Sequence, residues 1–278
     1  MKDNKEVPNP FEEKDKQKQL ITEKMSKIKH KIAIISGKGG VGKTLVTVNL
    51  AAGLAAKGRK GKVGVLDADL TAPSVPKMLG LKGKQMELGP AGILPAKGAE
   101  DIGVVSMDFL LPNDEAPVIW RGPLKMGAIR QFLGEVMWGD LDYLLVDLPP
   151  GTGDESLSVL QLLPEMDGVI IVTIPSEVSQ GVVKKAITFA RKMNIPILGV
   201  VENMSGMICP HCGETINVFS EGGGARMAGA MDVKFLGSIP MDPRVSEHSD
   251  SGVPFIYASP DSPAAEVFKE IVSKIEEK

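Results

Sequence analysis

Eight consecutive residues constrain this chain more than any other feature. Gly37-Lys38-Gly39-Gly40-Val41-Gly42-Lys43-Thr44 fits the pattern G-x-x-x-x-G-K-[ST], directly after the apolar run 31–36 (KIAIIS) and at the start of a helical pattern over 43–57. A strand that runs into a glycine-rich turn and then a helix aims consecutive backbone N–H groups at one point, where the helix N-terminus adds positive field. Such a loop holds phosphate oxygens. Lys43 is placed to reach the β- and γ-phosphates of a nucleotide, and the Thr44 hydroxyl to ligate Mg2+. A turn that merely caps a helix has no need of the full match in this context. Lys38 is a second lysine inside the loop, which the general pattern does not ask for. It points out over the phosphates toward another subunit, unless it is a solvated surface lysine.

The rest of the chain supports that frame. Runs at 31–36, 62–67, 143–147, 168–173, 197–202 and 234–238 are nearly continuous in Val, Ile and Leu, as strands covered on both faces should be. Helical patterns lie between them at 43–57, 122–138, 154–163, 178–193 and 223–231, with a last one at 262–278. This alternation predicts an α/β fold, a doubly wound and mostly parallel sheet with helices on both faces and its ligand site at the carboxyl ends of the strands. The stretch 80–98 is expected to be a loop excursion. At 278 residues, 43 % hydrophobic and 24 % charged, the chain suits one large domain over 31–278 behind a charged tail over 1–30 that is flexible or helical.

A net charge of −3 leaves no positive field to hold a nucleic acid, and 4 % aromatic residues argue against base-stacking platforms. No apolar h-region opens the chain and no apolar run approaches 18 residues, so a cytoplasmic protein with no membrane partner is expected.

Two strands finish in carboxylates, at Asp67-Ala68-Asp69 and at Asp147. A carboxylate at the end of a strand beside the phosphate loop is placed to hold the Mg2+ side of the site, the role expected of Asp147. Asp69, two residues past its strand end, is expected to orient the attacking water. Lys38, Lys43 and Asp69 are thus the candidate catalytic residues. No Glu or His occupies an obvious base position, so hydrolysis should be slow.

The chain has two cysteines, Cys209 and Cys212, in the turn Cys209-Pro210-His211-Cys212. Two cannot make a disulfide framework. They supply half of a tetrahedral thiolate site. A thioredoxin-like redox pair would need that turn to open a helix in another fold. Zinc within one subunit would need two more ligands. Pairing with a twin turn across a two-fold axis gives four thiolates, which accept either a 4Fe–4S cluster or zinc.

Taken together, Lys38 within the loop, Asp67-Ala68-Asp69 and the DLPPGTGD run over 147–154 resemble the deviant Walker A ATPases, which include MinD, ParA-type ATPases and the nitrogenase iron protein. The nearer resemblance is to the Mrp/ApbC iron–sulfur carriers. It is carried by Trp120-Arg121-Gly122-Pro123, Glu202-Asn203-Met204-Ser205, the cysteine turn with Gly213, and Gly222-Gly223-Gly224. The resemblance implies an ATP-binding homodimer with Lys38 contacting nucleotide across the dimer, Asp69 as the switch I aspartate and Asp147 as the second aspartate on the Mg2+ side. It also implies that Asn203 reads adenine with Pro240 nearby. A labile 4Fe–4S cluster at Cys209 and Cys212, passed to apo iron–sulfur proteins, is implied too.

Thr71-Ala72-Pro73-Ser74 departs from the family's aromatic and glycine before Pro-Ser. The four-cysteine extension and small N-terminal domain of other members are not seen, which suggests a minimal carrier. Three rivals remain. A MinD- or ParA-like positioning ATPase needs a basic amphipathic tail or surface. Val267, Phe268, Ile271, Val272 and Ile275 form an apolar stripe, but the chain ends Glu276-Glu277-Lys278, so the stripe is expected to be core. A reductase like the nitrogenase iron protein uses separated single cysteines. A non-enzymatic scaffold that binds nucleotide without turnover is the third, against which Asp69 and Asp147 argue; an ATPase with a dimer-bridging structural zinc is the alternative at the cysteines.

Overall fold

The computed structural model describes residues 10–90, 92–110, 122–209, 211–219 and 222–277. Eight strands form one sheet: β1 Ile28–Ser36, β2 Val63–Asp67, β3 Ala96–Lys97, β4 Gly103–Ser106, β5 Leu141–Asp147, β6 Gly168–Thr173, β7 Ile197–Glu202 and β8 Phe235–Ser238. The main helices are α1 Pro10–Met25, α2 Lys43–Ala56, α3 Gly122–Gly134, α4 Asp154–Leu162, α5 Glu177–Lys192, α6 Gly223–Ala230 and α7 Pro263–Glu276. The strands lie in the order β8-β7-β6-β1-β5-β2-β4-β3, and every pairing is parallel except that of β3 with β4.

Alternation along the strands builds two core layers. Ile32, Ile34, Val65, Leu145, Ile170 and Val172 face the layer shared with α2 and α7. Ala33, Ile35, Leu66, Val146, Val169 and Ile171 face the layer shared with α3, α4 and α5. Both faces are covered, which is why the strands read as unbroken aliphatic runs. The β2–β5 register sets Asp67 directly opposite Asp147. Two strand-end carboxylates therefore stand side by side, next to the point where β1 ends at Ser36 and the phosphate loop begins.

The sequence placed its boundary at residue 31, whereas β1 begins at Ile28 and α1 packs against α3 with Ile21 and Met25 buried. Lys31 is itself buried, and its Nζ donates to the carbonyls of Met25 at 3.3 Å and Ile28 at 3.1 Å, a cation satisfying the end of α1. Residues 80–98 hold a short hairpin, Glu87–Gly89 with Gly92–Leu94, and the edge strand β3. Strands of two to four residues carry too little apolar pattern to stand out beside Gly and Pro, and β4 escaped for the same reason.

The C-terminal stripe is core: Phe268, Ile271 and Val272 are fully buried with α2, and Val267 packs at the margin. No helix among the described residues is long and apolar enough to cross a membrane. Phe268→Ala should lower the unfolding free energy by about 3–5 kcal/mol, read from the denaturant midpoint at unchanged slope. A loss below about 1 kcal/mol would show that the stripe is not structural.

Candidate functional site

The phosphate loop takes its shape from two close approaches. Gly42 caps α2 with φ 80°, and a Cβ there would lie 2.1 Å from Asn203 Nδ2. A Cβ on Gly37 would lie 2.5 Å from Val182 Cγ1 of α5. Only glycine lets the loop pass beneath Asn203 and over α5. Gly39, Gly40, Val41, Lys43 and Thr44 bound a cavity of about 300 Å³ that is closed by Asp69, Met78 and Pro150. Facing N–H groups, a helix N-terminus and a lysine make this concavity fit a phosphate chain.

Asp147 organises the polar groups behind the loop. Its Oδ2 accepts from Lys43 Nζ at 2.6 Å and from Thr44 Oγ1 at 2.7 Å, and its Oδ1 accepts from Thr47 Oγ1 at 2.6 Å. Asp147 and Thr47 are wholly buried and Lys43 nearly so. On the adjoining strand, burial and then the charge of Asp147 push the Asp67 carboxyl up to about 8. Two buried carboxylates abreast with one lysine leave an excess of negative potential at the strand ends. Oxygen donors in such a potential suit a hard divalent cation, so Thr44, Asp147 and Asp69 fit Mg2+.

Asp67 also builds the loop that follows it. Its Oδ2 accepts from the N–H groups of Ser74 at 3.1 Å and Val75 at 3.2 Å, and its Oδ1 from Asp69 N–H at 3.3 Å. The Asp69 carboxylate accepts from Ala72 N–H at 3.3 Å. The unusual run Thr71-Ala72-Pro73-Ser74 is thus held at both ends by aspartates. Across the cavity, Gly151 N–H donates to the Ser36 carbonyl at 2.8 Å, tying the 148–153 loop to the end of β1. Lys38 is half-buried, and its side chain has no hydrogen-bond or ion-pair partner among the described residues.

Asn203 donates from Nδ2 to the Val41 carbonyl at 2.9 Å, which brings it onto the phosphate loop. Pro240 lines a second, mainly apolar cavity of about 360 Å³ with Met241, Asp242 and Pro263. There Arg244 donates to Asp242 through Nε at 3.0 Å and Nη2 at 2.6 Å, which holds the Asp242 carboxyl below the usual range.

Cys209 and Cys212 stand away from the phosphate cavity. They cap a small hairpin, Met207–Ile208 with Thr215–Ile216. Cys209 N–H donates to the Glu214 carbonyl at 2.8 Å, and Gly213 N–H returns to the Cys209 carbonyl at 2.9 Å with Gly213 at φ 77°. Backbone N–H groups of Cys212 and His211 aimed at the Cys209 sulfur lower its thiol from the ordinary range. Cys209 is half-buried and Cys212 exposed, both as free thiols. Among the described residues no group of three or more His, Cys, Asp or Glu converges to hold a metal. Pro210 of the turn, and Trp120 and Arg121 of the run before α3, lie outside the described residues.

Sequence reasoning did not single out Thr47, and it quoted Asp67 and Glu202 within motifs without giving either a role. Thr47 was findable, because it sits one helical turn after Lys43. Asp67 needed the strand register. Glu202 needed the tertiary fold.

A glycine-rich loop between a central parallel strand and a buried helix, backed by two strand-end aspartates, defines a P-loop NTPase. The family model described as ParA, NUBPL iron-transfer P-loop NTPase, matches residues 27–276, and the chain belongs to that family. A relative from Methanocaldococcus jannaschii, an iron–sulfur cluster carrier protein, is 55 % identical over 258 residues, which are 93 % of this chain and 88 % of that protein. A solved nucleotide-binding protein from Archaeoglobus fulgidus in complex with ADP superposes with a TM-score of 0.77 at 42 % identity, covering 86 % of this chain and 93 % of that one. The cell division ATPase MinD of Pyrococcus furiosus superposes with a TM-score of 0.66 at 25 % identity, covering 90 % of this chain and 99 % of that one.

Gly42→Ala should weaken ADP binding at least about tenfold, or about 1.4 kcal/mol, in a fluorescent-nucleotide titration. Unchanged affinity would mean that phosphate is held elsewhere.

Proposed function

We propose that this chain is an ATP-binding, slowly hydrolysing homodimeric carrier, and that Cys209 and Cys212 of two protomers hold a 4Fe–4S cluster destined for apo iron–sulfur proteins. The observation that carries the reading is the cysteine turn. It offers two accessible thiols, one of them lowered toward thiolate by backbone N–H groups, on a hairpin that branches directly from Asn203. Two thiolates satisfy half of a four-thiolate site, so the cargo asks for a second copy. A relative of 55 % identity bears the name of an iron–sulfur cluster carrier, which supports the same cargo.

In this reading Lys43 and the N–H groups of the 37–44 loop bind the phosphates. Lys38 reaches nucleotide of the partner protomer. Thr44 and Asp147 hold Mg2+, which when bound offsets charge on the β- and γ-phosphate oxygens. Asp69, at the rim of the cavity, orients the attacking water. Asn203 and Pro240 flank the adenine. Among the described residues that line the cavity none is a Glu or His, which supports slow turnover and suits a nucleotide that times cluster loading rather than powering transport.

Cys212→Ser should abolish both iron binding and transfer to an apo-ferredoxin acceptor while ADP binding persists; a variant that still transfers would sink the assignment. Asp69→Asn should lower kcat at least about tenfold with little change in ADP affinity measured without Mg2+, since Asp69 acts on the attacking water and the Mg2+ side rather than on the nucleotide itself. Loss of affinity instead would make Asp69 a ground-state ligand. Lys43→Ala should end turnover and leave cluster binding in place, separating an ATPase from a scaffold that binds nucleotide without turnover.

A further inference from the structure

Glu202 ends β7 with its side chain wholly buried, and neither the nucleotide site nor the cysteine pair uses it. The donors it meets among the described residues are three neutral groups on three segments. Its Oε1 accepts from Ser205 Oγ at 2.9 Å and from Ser238 Oγ at 3.1 Å, and its Oε2 accepts from Gly224 N–H. A buried carboxylate is stable only while its hydrogen bonds are in place, so these three segments hold their positions together.

Those segments are informative. Ser205 starts the excursion that bears Cys209 and Cys212, and Gly224, in the first turn of α6, receives it back. A Cβ on Gly224 would come within 2.9 Å of Glu202 Oε2, so the returning backbone is pressed against the carboxylate. Ser238 ends β8, two residues before Pro240. On the other side of Glu202, Asn203 holds the phosphate loop through the Val41 carbonyl. Backbone bonds lock the same knot, from Ile239 N–H to the Glu202 carbonyl at 2.7 Å, from Ser205 N–H to the Ile239 carbonyl at 2.9 Å, and from Met241 N–H to the Gly206 carbonyl at 2.7 Å. Both ends of the cysteine excursion therefore meet at one side chain, with Asn203 next to it in the chain and Pro240 two residues beyond its partner Ser238.

We propose that Glu202 is the positioning residue that couples the nucleotide site to the cysteine turn, so that a shift of Asn203 or of the Pro240 loop on nucleotide binding changes the set of the two thiols. This rests on the carrier reading above. By linkage, nucleotide and metal then alter each other's affinity by one common factor.

The test uses the full-length protein under anaerobic conditions, with Co2+ at the thiols followed by its thiolate charge-transfer absorption, with and without MgADP. The wild type should show a change in Co2+ affinity of about 5- to 150-fold on adding MgADP. Glu202→Ala should bring that factor close to one. Glu202→Gln should keep most of it, because the amide oxygen can take the Gly224 N–H while its NH2 donates to the two serine hydroxyls. A merely structural role would lower the unfolding midpoint of Glu202→Ala and leave the MgADP factor at its wild-type value, which overturns the proposal. Should Glu202→Ala fail to fold, the Ser205→Ala and Ser238→Ala variants read the same arms, and each should reduce the factor. Undiminished coupling in Glu202→Ala, or in both serine variants, overturns the proposal. If the wild-type thiols bind Co2+ equally well with and without MgADP, this inference alone fails. If they bind neither Co2+ nor a reconstituted cluster, the carrier reading falls and takes the coupling with it.

Discussion

The buried Asp147 carboxylate is the interaction on which the rest of the site depends. A fully buried carboxylate costs several kcal/mol unless it is paired and hydrogen-bonded. Asp147 meets that cost with three donors from a single helix, Lys43, Thr44 and Thr47, and so pins the first turn of α2 to the end of β5. The phosphate loop is drawn shut between these two elements. Asp67 stands on the neighbouring strand in register with Asp147; burial, and then the charge of Asp147, raise its carboxyl above the ordinary range while it shapes the 69–75 loop. A nucleotide with Mg2+ would compete for the same lysine, the same hydroxyl and the same carboxylate. Its binding is thus felt at once by both loops that border the cavity, without any long lever.

The fold was legible because its strongest signals are local. Six aliphatic runs gave the central strands to within about three residues, and the eight-residue loop set their relation to the first helix. The elements that escaped are short: β3, β4 and the hairpin at 87–94 owe their existence to a neighbouring edge rather than to their own pattern. The segment ahead of residue 31 was harder for another reason. Among the side chains of α1 that the structure describes, only Ile21 and Met25 are buried, and two apolar residues among many charges do not distinguish a docked helix from a solvated one.

The site divides along the same line. Lys43, Thr44 and Asp147 were readable from motif and strand end, and they meet within hydrogen-bond distance. Asp69 stands at the cavity rim, and Asn203 meets the phosphate loop at Val41, a contact that no propensity could supply. Glu202 was quoted as part of a motif and given no role, since its three partners lie 3, 22 and 36 positions away along the chain. Buried polar hubs of this kind are written in tertiary structure. They are also where two sites can be made to act as one.

The central claim is that one chain supplies half of a cluster site. Its most direct test is native mass spectrometry of anaerobically reconstituted protein, with iron and sulfide assayed on the same sample. The account predicts a dimer carrying about four iron and four sulfide. A dimer holding zinc and no iron, or a monomer that holds a full cluster on its own, would contradict it.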